Sequence, residues 1–231
     1  SHAPSMPSCR DGNIRQAGST MRLVSYSLRV APQMVRPGVL VTHGDASHRA
    51  IVVLDCIRVL EHRHGHVAPR RASMRELLAA GPAILDDLRA AVSWAARQGM
   101  AELQATDPPL AYDWSLVKFQ PPEPNPSSVR LVRGCFGVRA SGRSGRGEAA
   151  GERREIRYVY GNPTSLIGPD AVVDAPDTAQ LDFEPSLALF VGTAGRNITP
   201  EAAWGHLAGI AIANQWVARD LERNETAARW G

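Results

Sequence analysis

The sequence predicts an α+β fold, a small N-terminal α+β domain followed by a mostly-β C-terminal domain, on three observations. Short runs rich in Val, Leu and Ile at 21–30, 35–43 and 50–54 are broken by Pro32, Gly38 and the polar turn Gly44-Asp45-Ala46-Ser47, which is the composition and spacing of strands in a small antiparallel sheet. Helical periodicity takes over between residues 73 and 95, and beyond a proline-rich stretch the apolar runs become strand-like again. With 231 residues, 44% hydrophobic and 21% charged, the chain has the size of one or two domains and enough apolar content for a real core.

Each element has a local reason. Residues 1–20 are polar and lack periodicity, so they read as a disordered or tag-derived lead-in to an N-terminal domain at 21–118. Ser73-Met74-Arg75-Glu76 is a capping box that should open a short helix to Ala80. After Gly81-Pro82, Ile84, Leu85, Leu88, Ala91, Val92 and Ala95 recur at helical spacing, with Asp86, Asp87, Arg89 and Arg97 on the opposite face. Gln120-Pro121-Pro122-Glu123-Pro124-Asn125-Pro126 cannot be a helix or a central strand, because proline lacks the amide and fixes φ; residues 119–128 read as an interdomain linker. In the C-terminal domain at 129–231, Ser141–Arg154 reads as an exposed loop and Arg157–Tyr160 as a strand end. Leu181–Gly192 and Gly209–Ala213 read as buried strands, Thr199-Pro200-Glu201 as a helix start capped by Thr199, and Val217–Arg229 as a helix.

Charge and cysteine content exclude several classes. The net charge of +3 is uneven: residues 129–157 hold eight arginines against three glutamates, and residues 158–231 hold nine acidic residues against four arginines. The basicity is therefore one segment, without interleaved aromatics for base stacking, and no nucleic-acid partner is expected. No apolar run approaches the roughly 18 residues of a membrane span, and the start lacks a signal peptide's basic and apolar regions. Three widely spaced cysteines, Cys9, Cys56 and Cys135, fit neither a CxxC metal motif nor a disulfide framework. A cytoplasmic protein with no membrane partner is expected.

Five segments carry a family resemblance in sequence order: Met21-Arg22-Leu23-Val24-Ser25-Tyr26, the helix Ser73–Gly81, Gly161-Asn162-Pro163-Thr164-Ser165-Leu166-Ile167-Gly168-Pro169, Asp182-Phe183-Glu184, and Ala213-Asn214-Gln215-Trp216-Val217-Ala218-Arg219-Asp220-Leu221. Together they resemble the fumarylacetoacetate hydrolase superfamily over residues 21–231, most weakly over 129–157. The resemblance implies a C-terminal domain of that family's type, apparently truncated, since family members continue beyond the position of Trp230-Gly231. It also implies hydrolysis, decarboxylation or tautomerisation of 1,3-dicarbonyl and 2-oxo acid compounds with a carboxylate-held divalent ion. Such an ion stabilises the enolate that forms when a C–C bond breaks or an α proton leaves.

At the positions the resemblance marks as ligands, this sequence has Leu131, Glu184, Ser186 and Gln215, so the implied metal site is degenerate and no metal or other cofactor is expected. Val138 stands where the family's hydrolases carry a catalytic His. Glu184 reads as a retained active-site carboxylate, which burial without partners would suit to proton transfer, or else as a strand-edge glutamate. Arg219 reads either as a catalytic partner or as a structural ion pair. Arg130 and Arg133 can bind a substrate carboxylate through guanidinium forks or lie in a solvated basic loop. Ser186, Gln215 and Asn214 complete the expected substrate-binding set. Cys135 as a nucleophile and His206 as a base are weaker candidates, and Glu61-His62-Arg63-His64-Gly65-His66 reads as a surface loop rather than a metal tract. Three functions follow in order: a metal-independent lyase, decarboxylase, isomerase or cyclase acting on a small carbonyl compound; a catalytically inert subunit of an active paralogue; and a standard Mg²⁺ hydrolase. A homo-oligomer, or a hetero-oligomer with a paralogue, is expected from the resemblance.

Overall fold

Alternation of apolar residues builds a five-stranded antiparallel sheet from β1 (Arg22–Leu28), β2 (Ala31–His43), β3 (Ala50–Asp55), β4 (Ala111–Asp113) and β5 (Val117–Gln120), in the order β4-β3-β2-β1-β5. The computed structural model describes residues 21–43, 50–65, 73–133 and 157–227. Side chains two apart share a face. Leu23, Val39, Val41 and Leu54 accordingly pack against helices, and Val24, Tyr26, Leu40 and Val53 form a second cluster with Tyr112, Val117 and Phe119. The proline-containing first half of β2 is tolerated because its register with β3 begins only at Gly38, which leaves the Pro37 side of the strand without a ladder partner.

Four helices cover the first face: α1 (Cys56–His64), α2 (Met74–Ala79), α3 (Pro82–Ala95) and α4 (Met100–Ala105). The capping box of α2 forms as expected: Ser73 accepts from the Glu76 amide, and Glu76 accepts from the Ser73 amide at 3.1 Å. Leu77 of α2 and Leu88, Ala91 and Ala95 of α3 enter the core. α1 corrects the loop reading of 61–66. Asp55 caps its N-terminus, Val59 and Leu60 are buried, and Glu61–His64 form its exposed last turn, closed by Gly65 at φ 70°. The histidines obscured a helix whose apolar face lies upstream of them.

Asp55 is fully buried and organises the second face. Its carboxylate accepts from Tyr26 at 2.7 Å, from Arg36 Nε at 2.5 Å and from the Arg58 amide at 2.9 Å. Burial first, and Asp55 second, push the Tyr26 hydroxyl far above its ordinary range, so it stays a donor. Gly38 makes room for this arrangement, since a Cβ there would stand 2.6 Å from Val53 and 3.0 Å from the Tyr26 ring.

Residues 121–128 are tied down rather than loose. Ser25 donates to the Pro122 carbonyl at 2.7 Å, and Arg75 binds Glu123 at 3.1 Å and the Asn125 carbonyl. Beyond them, β6 (Val129–Arg133) pairs with β7 (Arg157–Gly161), and β8 (Leu181–Val191) pairs with β9 (Leu207–Ala218), which leads into α6 (Arg219–Ala227). α5 (Pro200–Ala203) lies between β8 and β9. Thr199 makes no cap hydrogen bond to this helix; its side chain bonds Glu201 instead. The expected strands at 181–192 and 209–213 form, but they are not buried: Leu187 is 63% and Ile212 89% exposed. Among the described residues past 129, Val217 is the one buried hydrophobic. No helix among the described residues is long and apolar enough to cross a membrane.

Two substitutions probe this part of the fold. Asp55→Ala leaves Arg36 and Arg58, each about one-fifth exposed, facing an apolar gap; it should cost about 3 kcal/mol in urea denaturation. Gly168→Ala places a Cβ 2.3 Å from the Phe119 carbonyl oxygen of β5, where no side chain can yield. A loss of about 2 kcal/mol is expected in the same measurement.

Candidate functional site

The β8–β9 ladder is regular from Leu181↔Ala218 to Phe190↔Gly209, so its side chains sort into two faces. Asp182, Glu184 and Ser186 share one face of β8, and Gln215 stands directly opposite Glu184 on β9. Cross-strand neighbours of this kind have Cβ atoms about 5 Å apart, so the Glu184 carboxylate and the Gln215 amide emerge side by side. Ser186 donates to the Glu184 carbonyl at 3.3 Å. Asn214, opposite Pro185, lies on the other face.

Where β9 ends, Arg219 begins α6, its amide bonded to the Gln180 carbonyl at 2.9 Å. The turn aims its guanidinium back along β8. Nε donates to Asp182 at 3.0 Å, and Nη1 donates to Glu184 at 2.7 Å and to Glu222 at 3.1 Å. These bonds, Glu184's first, push the Arg219 pKa further up. Glu184 is therefore not the partnerless buried carboxylate that the sequence suggested: its side chain is 29% exposed and ion-paired. Asp182 is held below its ordinary pKa by the Phe183 amide first and by Arg219 second. Asp220 is held low chiefly by the Thr178 hydroxyl and also by the amides of Ala179 and Leu221.

The remaining candidates lie elsewhere. Arg130 stands on β6, opposite Tyr160, with its guanidinium carbon 3.8 Å from the centre of that ring. Leu131 is the next residue of the same strand, and Arg133 pairs in register with Arg157. His206 Nδ1 is 3.0 Å from the Thr193 carbonyl in the loop between β8 and β9. Cys135 and Val138 fall outside the described residues. Among the described residues, no group of three or more His, Cys, Asp or Glu side chains is arranged to hold a metal ion.

Sequence reading missed Asp182 and Glu222 as partners of Arg219. Two signals were available: Asp182 is two residues from Glu184 on one strand face, and Glu222 is three residues from Arg219 on a helix. Chemically, the hairpin offers a carboxylate beside an amide and a hydroxyl. That set can take a proton from carbon and donate hydrogen bonds to an oxygen.

Comparison with known proteins agrees with this architecture. The family model for the fumarylacetoacetate (FAA) hydrolase C-terminal domain matches residues 138–231. The chain is similar to oxaloacetate tautomerase YisK of Bacillus subtilis, with 29% identity over 154 residues, covering 65% of this chain and 48% of that protein. It is similar to the human mitochondrial oxaloacetate tautomerase FAHD2A, with 34% identity over 68 residues, covering 29% of this chain and 22% of that protein. The chain thus spans about half the length of the bacterial relative it matches. Among solved structures, the fumarylacetoacetate hydrolase of psychrophilic Exiguobacterium antarcticum superposes with a TM-score of 0.54 at 21% identity, covering 90% of this chain and 60% of that one. The mixed fold, with strands dominating, is the type expected from the sequence.

The depressed carboxyls give the ion cluster a pH signature. A carboxyl whose pKa is lowered on folding contributes stability above its unfolded value and loses it as pH falls through the folded one. For Asp182 and Asp220 that loss begins below the ordinary value of 3.8. Hydrogen exchange of α6 should therefore be unchanged from neutral pH to about 4 and rise on further acidification.

Proposed function

Given that the chain belongs to the fumarylacetoacetate hydrolase superfamily, we propose that it is an isomerase- or lyase-type enzyme acting on a small carbonyl compound, and that it works without a tightly held divalent ion. The four positions marked for metal ligands supply an aliphatic side chain, a hydroxyl, an amide and a single carboxylate. Mg²⁺ gives up hydration water reluctantly and favours charged oxygens, and here the one carboxylate already faces a guanidinium. This donor set does not fit the ion, so the chemistry falls to the chain's own side chains.

The observation that carries the reading is the Glu184–Gln215 pair on one hairpin face, with Ser186 beside it and Arg219 behind it. Two relatives are named oxaloacetate tautomerases, which supports a 2-oxo acid as substrate and keto–enol exchange as the reaction. In that exchange Glu184 takes the proton from the carbon next to the carbonyl as the C–H electrons form the C=C bond. The carbonyl oxygen gains charge, meets the Gln215 amide donor, and takes a proton from water to complete the enol, while Glu184 passes the proton it took from carbon to water. No electrons are gained or lost overall. Arg219 is a positioning residue, because its charge is shared among three carboxylates. Arg130, its guanidinium laid over Tyr160 on the β6–β7 pair, lies apart from this face and is given no role in the exchange.

The inert-subunit reading draws on one observation: Val217 is the single buried hydrophobic among the described residues past 129, so this half has little core of its own. Following the ultraviolet absorbance of enol-oxaloacetate in the presence of EDTA separates the readings. The proposed enzyme accelerates the decay with EDTA present, and Glu184→Gln lowers the rate roughly 10²- to 10⁴-fold without changing the fold. Activity that appears only with added Mg²⁺ overturns the metal-independent reading. A rate equal to that without protein points to the inert subunit.

A further inference from the structure

None of the chemistry above uses the cluster around Asp55, and the charges of that cluster do not balance. The carboxylate is saturated: Oδ2 accepts from the Tyr26 hydroxyl and from Arg36 Nε, and Oδ1 accepts from the Arg58 amide. The Arg58 guanidinium is left over. Its Nε stands 4.0 Å from Asp55, too far for a hydrogen bond, and its Nη1 donates to two neutral acceptors, the Pro109 carbonyl at 3.0 Å and the Tyr112 hydroxyl. Among the described residues neither arginine meets a second carboxylate, so two cations share one anion at side-chain exposures of only 23% and 19%. A charge left uncompensated at that depth carries a desolvation penalty that a second anion offsets.

The remaining donors gather in one place. Both Nε atoms lie within 4.0 Å of the same Asp55 oxygen, which makes the two guanidinium groups neighbours. Among the described residues, the terminal nitrogens of Arg36 and Nη2 of Arg58 have no acceptor. The Tyr112 hydroxyl, on a side chain only 8% exposed, accepts from Arg58 and keeps its own proton to donate. Arg36 stands on the first half of β2, before the register with β3 begins at Gly38, which leaves that flank of the sheet open. We propose that Arg36, Arg58 and Tyr112 form a binding site for a small oxyanion, the carboxylate or phosphate group of a solute. Guanidinium forks match the oxygens of such groups in pairs, and the added charge neutralises the surplus cation. The site shares no residue with the Glu184 face, so it stands independently of what that face does.

Titration of the full 231-residue chain with inorganic phosphate, and separately with acetate, tests it. Each probe replaces sodium chloride at constant ionic strength, and the arginine Nε–Hε signals are followed by NMR. The Arg36 and Arg58 signals should shift saturably, while that of Arg22, an exposed arginine bonded to Thr42 on the same sheet, stays in place. Saturation by phosphate alone identifies a phosphate site, and saturation by acetate identifies a carboxylate site. Arg58→Gln keeps a polar donor and loses the charge, and should weaken binding roughly tenfold or more. Should that variant fail to fold, Tyr112→Phe, which deletes the hydroxyl and keeps the ring, should weaken it several-fold. Arg36 and Arg58 signals indifferent to both anions overturn the proposal, as do shifts shared equally by Arg22. An affinity unchanged in whichever variant folds overturns it as well.

Discussion

The Arg219 guanidinium spans 37 residues of sequence to Asp182 and 35 to Glu184, and also meets Glu222 three residues on. Without a cation among them, three carboxylates gathered at one corner would repel each other, and this side chain offsets that repulsion where β8, β9 and α6 meet. The same bond fixes where the Glu184 carboxylate sits relative to Gln215. The start of α6 is also held by Asp220, which accepts from the Thr178 hydroxyl and the Ala179 amide, so the last helix is attached at several points of the segment before β8.

The N-terminal half solves a similar problem in a different medium. Asp55 is wholly enclosed, and Tyr26, Arg36 and the Arg58 amide satisfy its oxygens. In that setting polar groups must be matched nearly completely. The partly exposed cluster around Arg219 keeps its acidic surplus in contact with water, which screens it. A surplus of that kind is tolerable at a surface and would not be tolerable beside Asp55.

Local chemistry was legible in the sequence. The Ser73–Glu76 capping box, the periodicity of α3 and the strand character of 181–191 and 207–218 all depend on neighbours within a few residues. Helix α1 was not read, because its cap, Asp55, closes a strand and its last turn is rich in histidine. Burial of β8 was misjudged for a deeper reason: an apolar run shows that a strand requires cover, but what supplies the cover lies outside the run. At the candidate site, Glu184, Ser186 and Gln215 were marked by the family resemblance, through the segments that flank them. The tie to Arg219 was not, because it depends on how the chain turns between Ala218 and Asp220.

Ser25 and Arg75 grip the proline-rich stretch from two different elements, β1 and the helix α2. Both grips come from elements that precede the stretch, so it is clamped along the amino-terminal layer as far as Asn125 and behaves as an extension of that layer rather than as a free tether.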